Sequence, residues 1–223
     1  MPGEFPRSPR LLKGALVAYD QPILGPIPNI IVLQYNPDQL TRTLRPRGTP
    51  RQSATTGEPK QDTLLTPGPP NESISLAVEL DATDQLEAGN RIALERGIQP
   101  ALAALELLMY PKSREVRSNA QAAVRGTASL KPESLPVVLF VWGKARVVPV
   151  RVTSCTVTEQ AFDQMLNPIR ARVDLGLQVL TYIDLPEDNL GAQAFNAMQV
   201  QREVLAGLNL VSSAETVLGL LPV

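Results

Sequence analysis

The chain has 223 residues, enough for one large domain or two small ones with a sizeable core. Hydrophobic residues make up 43% and charged residues 19%, values that suit a soluble folded chain and exclude a disordered one. The net charge of -1 supplies no global field for nucleic acid or anionic lipid, and the complete lack of histidine excludes His-based triads and the usual zinc sites.

Residues 1–13 are rich in Pro and Arg and predict an extended N-terminal arm. They hold no apolar core of the kind a secretory signal needs, and no apolar run in the chain reaches about 18 residues, so no membrane span is expected. Residues 14–19 (GALVAY) and 30–35 (IIVLQY) predict strands, the second ended by the turn dipeptide Asn36-Pro37. Residues 40–44 alternate Leu/Arg/Leu with Thr/Thr, the period-two pattern of a half-buried strand. Residues 45–72 change character: Pro, Gly, Thr, Ser and charged residues dominate, apart from Leu64 and Leu65, and predict a long exposed loop. Such a loop is either a binding arm or a tolerated surface insertion.

Residues 74–80 (ISLAVEL) return to clean alternation, with Ile74, Leu76, Val78 and Leu80 on one face. A polar stretch, 81–96, precedes the clearest helix: Ile98, Ala101, Leu102, Leu105, Leu108 and Met109 recur at helical spacing, with Pro100 near the start and Pro111 as the stop. Residues 112–134 read as a second loop. Residues 135–142 (LPVVLFVW) predict a strand buried on both faces. A turn at Trp142-Gly143-Lys144 leads into a long strand over 145–158, and a third long strand covers 171–183. Residues 192–208 predict a helix, and 209–223 stay apolar to the end. Such a tail packs on its own core or on a neighbouring subunit, and the second is favoured.

These elements sum to an α+β, mainly β, fold: about seven strands in an antiparallel β-sandwich or barrel, one central amphipathic helix and a helical C-terminal tail. The expected organisation is the arm at 1–13, a β-rich domain at 14–190, and a helical apolar tail at 191–223.

Candidate chemistry is sparse. Asp81 with Asp84, and Asp184 with Glu187 and Asp188, are acidic clusters that suit solvated turns better than acid/base work or cation binding. Cys155 sits inside a patterned strand, and without a histidine to lower its pKa it reads as a buried structural cysteine. No G-x-S-x-G, G-x-G-x-x-G or Walker-type loop occurs, so neither catalysis nor nucleotide binding is expected, and no cofactor or metal. Arg42, Arg45, Arg47 and Arg51 form a basic stretch, with Arg7, Arg10 and Lys13 upstream. No aromatic residue lies between Arg42 and Arg51, which favours contact with a partner subunit, or a solvated face, over single-stranded nucleic acid. The partner-contact candidates are therefore Arg42, Arg45, Arg47 and Arg51, with Leu210, Val211, Val217, Leu218, Leu220 and Leu221 of the tail.

Three segments taken together carry a resemblance. They are Tyr35-Asn36-Pro37-Asp38 through Leu40 with the strand that follows, residues 73–84 (SISLAVELDATD), and residues 136–180, from PVVLFVWGK through FDQMLNPIRAR to LQVL. Their order over roughly residues 14–185 resembles the N-terminal domain of the tube-type baseplate proteins of contractile injection systems, which are phage-tail-like particles. In that family an F/Y-N-P turn precedes a long loop, an L-x-L-x-L-x-F-D strand follows, and a P-x-x-x-F-x-W-G strand leads to a closing hairpin ending in R-A. This chain departs from the pattern in two places. The turn before Arg170-Ala171 reads Met165-Leu166-Asn167-Pro168-Ile169 where the family usually has a glycine, and no aromatic residue precedes Asp81. The residues after Leu190 are too few for the peptidoglycan-binding LysM module that many members carry.

The resemblance implies a non-enzymatic adaptor joining the central spike hub to the inner tube or surrounding baseplate, at about six copies in a ring. Its partners would be hub, inner-tube and other baseplate proteins, with no nucleic acid. It would assemble in the cytoplasm, and any release would be within an extracellular particle. An inner-tube or tube-terminating subunit is the alternative of the same class. A ligand-binding or hydrolytic cargo domain is the alternative of another.

Overall fold

The computed structural model describes residues 12–19, 28–47, 66–126, 135–143 and 145–218, with side chains as far as residue 210. The expected arm, apart from Leu12 and Lys13, and the central part of the expected loop, 48–65, lie outside the described residues. In chain order the elements are β1 (Ala15–Ala18), β2 (Asn29–Val32), β3 (Leu40–Arg45), β4 (Asn71–Asp81), α1 (Thr83–Glu87), α2 (Arg91–Arg96), α3 (Gln99–Glu106), α4 (Ser113–Val124), β5 (Val138–Val141), β6 (Val147–Phe162), β7 (Pro168–Val179) and α5 (Leu190–Leu218).

Among the described residues all seven strands belong to one antiparallel sheet in the order β2-β1-β5-β6-β7-β4-β3. The expectation of a β-sandwich or barrel is corrected to a single open sheet. Alternation along a strand specifies one buried face without specifying what covers it. Here α3 and α5 take the place of a second sheet, and β2 and β3 do not pair to close a barrel. The edges are nonetheless drawn together. Only residues 33–39 join β2 to β3, although these strands are the two edges. Just past β2, the Gln34 amide spans to the end of β4: its Nε2 donates to the Asp81 carbonyl at 2.6 Å and its Oε1 accepts from the Asp81 N–H at 2.9 Å. The sheet is thus curled, and one side chain stands in for a ladder rung across its gap.

The inner face holds the core. Ile74, Leu76, Val78 and Leu80 of β4, Val173, Leu175, Leu177 and Val179 of β7, Val148, Val150 and Val152 of β6, and Val138 and Phe140 of β5 are all buried. Leu102 and Leu105 of α3 and Phe195 and Met198 of α5 pack on them. The expectation that β5 is buried on both faces is met on one: Val138 and Phe140 are buried, while Leu139 and Val141 are half-buried. The β5–β6 turn falls where Trp142-Gly143 predicts it. Gly143 takes φ 71, and the Trp142 N–H donates to the Arg146 carbonyl at 2.8 Å.

The helical layer is richer than the single central helix expected. Asn90 caps α2, its side chain accepting from the N–H groups of Ile92 and Ala93 at 2.9 and 3.2 Å. Gly97 ends α2 with φ 56, and a Cβ there would stand 2.1 Å from the Pro168 carbonyl oxygen, which accepts from the Ile98 N–H at 2.9 Å. That close approach fastens the helices to the start of β7. Residues 112–134, expected to be a loop, contain α4. This helix buries no side chain: its short apolar row, Val116, Ala120, Ala123 and Val124, is exposed, and its Ala, Arg, Gln and Glu content supports it by propensity.

Candidate interaction surface

Strand parity sends the sequence-picked arginines to opposite faces. Arg42 points inward with Ile74, its cross-strand partner. Its guanidinium donates to Glu72 Oε1 from Nε at 2.7 Å and from a terminal nitrogen at 2.6 Å. Arg202 of α5 reaches Glu72 Oε2 at 2.5 Å. Glu72 is only 4% exposed. Arg146 lies within electrostatic range of all three, and burial, then the neighbouring Arg42 and Arg202, pull its pKa down against the favourable pull of Glu72. One buried carboxylate therefore clasps α5 to β3 and β4 with charge-assisted bonds. Arg42 therefore has a structural role within the fold, while 29% of its side chain stays exposed.

Arg45 and Arg47 turn to the polar outer face. There, with Arg151 of β6, they line an open recess of about 670 Å³ completed by Asn71, Ser73 and Gln178. Register brings these residues together: Arg45 opposes Asn71, Ser73 opposes Gln178, and Gln178 opposes Arg151. Arg47 donates to the Pro69 carbonyl at 2.9 Å and pairs with Asp184 at 3.3 Å. Burial pushes the Asp184 pKa up, but the Thr181 hydroxyl and N–H at 2.8 and 2.9 Å, together with Arg47, outweigh it and hold the carboxyl below its ordinary range. Asp184 is thus engaged with Arg47. Arg45 and Arg151 are exposed, and among the described residues neither has a carboxylate within ion-pair distance. Arg151 was not singled out in the sequence. Its outward direction is legible from Val148, Val150 and Val152, but its proximity to Arg45 requires the strand order.

The second surface is the far part of α5. Phe195 and Met198 enter the core and Arg202 bonds Glu72, but every residue from 203 to 210 is exposed. Val204, Leu205, Leu208 and Leu210 lie in this stretch, with Leu210 71% exposed. At about 1.5 Å per residue, the stretch from 203 to the end of the helix is about 24 Å long. Of the tail candidates, Leu210 is thus on a free helical surface. Val211, Val217 and Leu218 lie on the same helix with side chains outside the described residues, as do Arg51, Leu220 and Leu221 altogether.

The acidic clusters are turn chemistry. Asp81 accepts from the Thr83 hydroxyl and N–H at 2.5 and 2.8 Å and pairs with Arg170 at 2.6 Å; the Thr83 bonds first, then Arg170, hold its carboxyl below the usual range. Asp84 lies in the first turn of α1, and Glu187 and Asp188 lie in an exposed turn before α5. Among the described residues no group of three or more Asp, Glu, Cys or His could hold a metal ion. Cys155 is half-buried where full burial was expected. Burial, then the nearby Glu106, raises its thiol pKa, the opposite of an activated nucleophile.

Among the described residues no helix is long and apolar enough to cross a membrane. No protein-family model matches the chain, and no curated protein does.

Proposed function

We propose that this chain is a non-enzymatic structural subunit, an adaptor that joins the spike hub of a contractile injection baseplate to the inner tube or surrounding baseplate. The observation that carries an assembly role is the second half of α5, which leaves a body whose core is already filled and holds Val204, Leu205, Leu208 and Leu210 in solvent. Apolar side chains in such a row favour burial against a partner at roughly 25 cal/mol per Å².

The baseplate reading draws support from where the resembling motifs fall. The Tyr35-Asn36-Pro37 turn lies between β2 and β3, and Asn36 ties it down by accepting from the Gly14 N–H at 2.9 Å and donating to the Leu12 carbonyl at 2.8 Å. Residues 73–84 form β4 and its turn, and residues 136–180 form β5, β6 and β7. The motifs therefore mark contiguous structural units.

The test is quantitative mass spectrometry on sedimented, nuclease-treated particles from the source organism. About six copies per particle, beside hub and spike proteins, is the expected result for one closed ring. Many tens of copies would move the chain to the inner tube, a reading favoured by the unpaired outer edges of β2 and β3. A chain absent from particles and monomeric in solution would refute both.

A further inference from the structure

We infer that the recess formed by Arg45, Arg47 and Arg151 on the outer face of the sheet is a docking site for an acidic polypeptide segment of a neighbouring subunit. The inference rests on the reading of the chain as an assembly subunit, but not on which particle it belongs to.

Three guanidinium groups from two parts of the chain line one depression of about 670 Å³, and among the described residues lining it Asp184 is the only carboxylate. That carboxylate is already engaged by Arg47 and Thr181, so Arg45 and Arg151 present their donors to solvent. Asn71, Ser73 and Gln178 add neutral hydrogen-bonding groups between them. Planar, permanently charged donors on a concave polar floor match carboxylates, which accept two parallel N–H bonds from one guanidinium.

The rest of the same face decides between a short acidic segment and a long polyanion. Away from the recess the face carries Glu79 and Asp174, and Asp174 pairs with Arg172 at 3.3 Å. A nucleic-acid backbone running along the strands would leave the basic end and meet these carboxylates. None of the described residues lining the recess is aromatic, so they offer no stacking platform for bases. A compact run of Asp and Glu fits one basic end and avoids the remainder.

The test uses the purified full chain and a fluorescently labelled peptide of alternating Glu and Asp, titrated at low and moderate salt, with a labelled oligothymidylate of equal charge in parallel. The expected result is saturable peptide binding that weakens with salt, falls about tenfold or more in Arg151→Gln and again in Arg45→Gln, and is unchanged in Arg117→Gln on exposed α4. Arg45 and Arg151 are both exposed, so the thermal melts of these variants should match the parent and separate lost binding from lost folding. Peptide binding that is absent at low salt, or unaffected by both substitutions, overturns the inference. Equal or tighter oligothymidylate binding, weakened by the same substitutions, also overturns it and makes the recess a nucleic-acid contact. Particles that incorporate the Arg45→Gln/Arg151→Gln protein at normal copy number would sink the docking role while leaving the adaptor reading intact.

Discussion

Replacing Glu72 by Gln preserves the shape of the buried side chain and removes its charge. Arg42 and Arg202 then face a neutral amide, with Arg146 nearby, and three cations share a half-buried space without a counter-ion. Breaking a buried ion pair costs about 3–5 kcal/mol. The two guanidiniums keep 29% and 27% of their exposure, so water recovers part of that and about 2–3 kcal/mol is expected. With an m-value of about 2–3 kcal/mol/M, the urea midpoint should fall by about 1 M. Trp142, the sole tryptophan, stacks on Phe140 at 5.8 Å and reports unfolding by fluorescence. The sharper test is the double mutant. Arg202→Met alone should destabilise by about 1.5–2 kcal/mol through a lost charge-assisted bond. In the Glu72→Gln background it should be neutral or stabilising, because it then removes a repelled cation. A midpoint shift below about 0.3 M for Glu72→Gln, or costs that simply add in the double mutant, would refute the clasp.

Other outcomes are equally specific. Gly97→Ala should destabilise by about 2–4 kcal/mol in the same assay, since an alanine must adopt φ 56 with its Cβ 2.1 Å from the Pro168 carbonyl oxygen. Leu166→Gly should stabilise by about 0.5–1 kcal/mol, because Leu166 holds φ 62 while 77% exposed, and relief of that strain exceeds the added entropy of glycine. Asp184 and Asp81 titrate below their ordinary range when folded, so their contribution is complete above about pH 4 and is lost as pH falls through the lower folded value. The difference in melting temperature between the parent and Asp184→Asn should therefore be largest near neutrality and shrink in acid. Deleting residues 209–223 should leave the melt nearly unchanged, because the core contacts of α5 end at Arg202, yet abolish incorporation into particles; a truncated chain that still enters them would count against α5 as the assembly element.

Alternation and helical spacing by themselves determined which way side chains point in β4 and β7, the existence of α3, and the turn at Gly143. Each residue's position relative to its neighbours is a local property, and burial of one face writes it directly into the sequence. α4 escaped because its apolar row, Val116, Ala120, Ala123 and Val124, is short, half alanine and set among polar residues, a weak mark beside those of β4 and α3. Parity also separates Arg42 from Arg45 and Arg47, but the partner of each is non-local. Glu72 meets Arg202 across 130 positions, and Arg47 meets Asp184 across 137. The strand order placed Arg151 beside Arg45, and the curl of the sheet let Gln34 bridge to Asp81 where a closed barrel would have paired two strands. Only the tertiary structure could decide these, because pairing and coverage are set by the mutual fit of distant faces, and no periodicity within one segment records which distant segment will complete it.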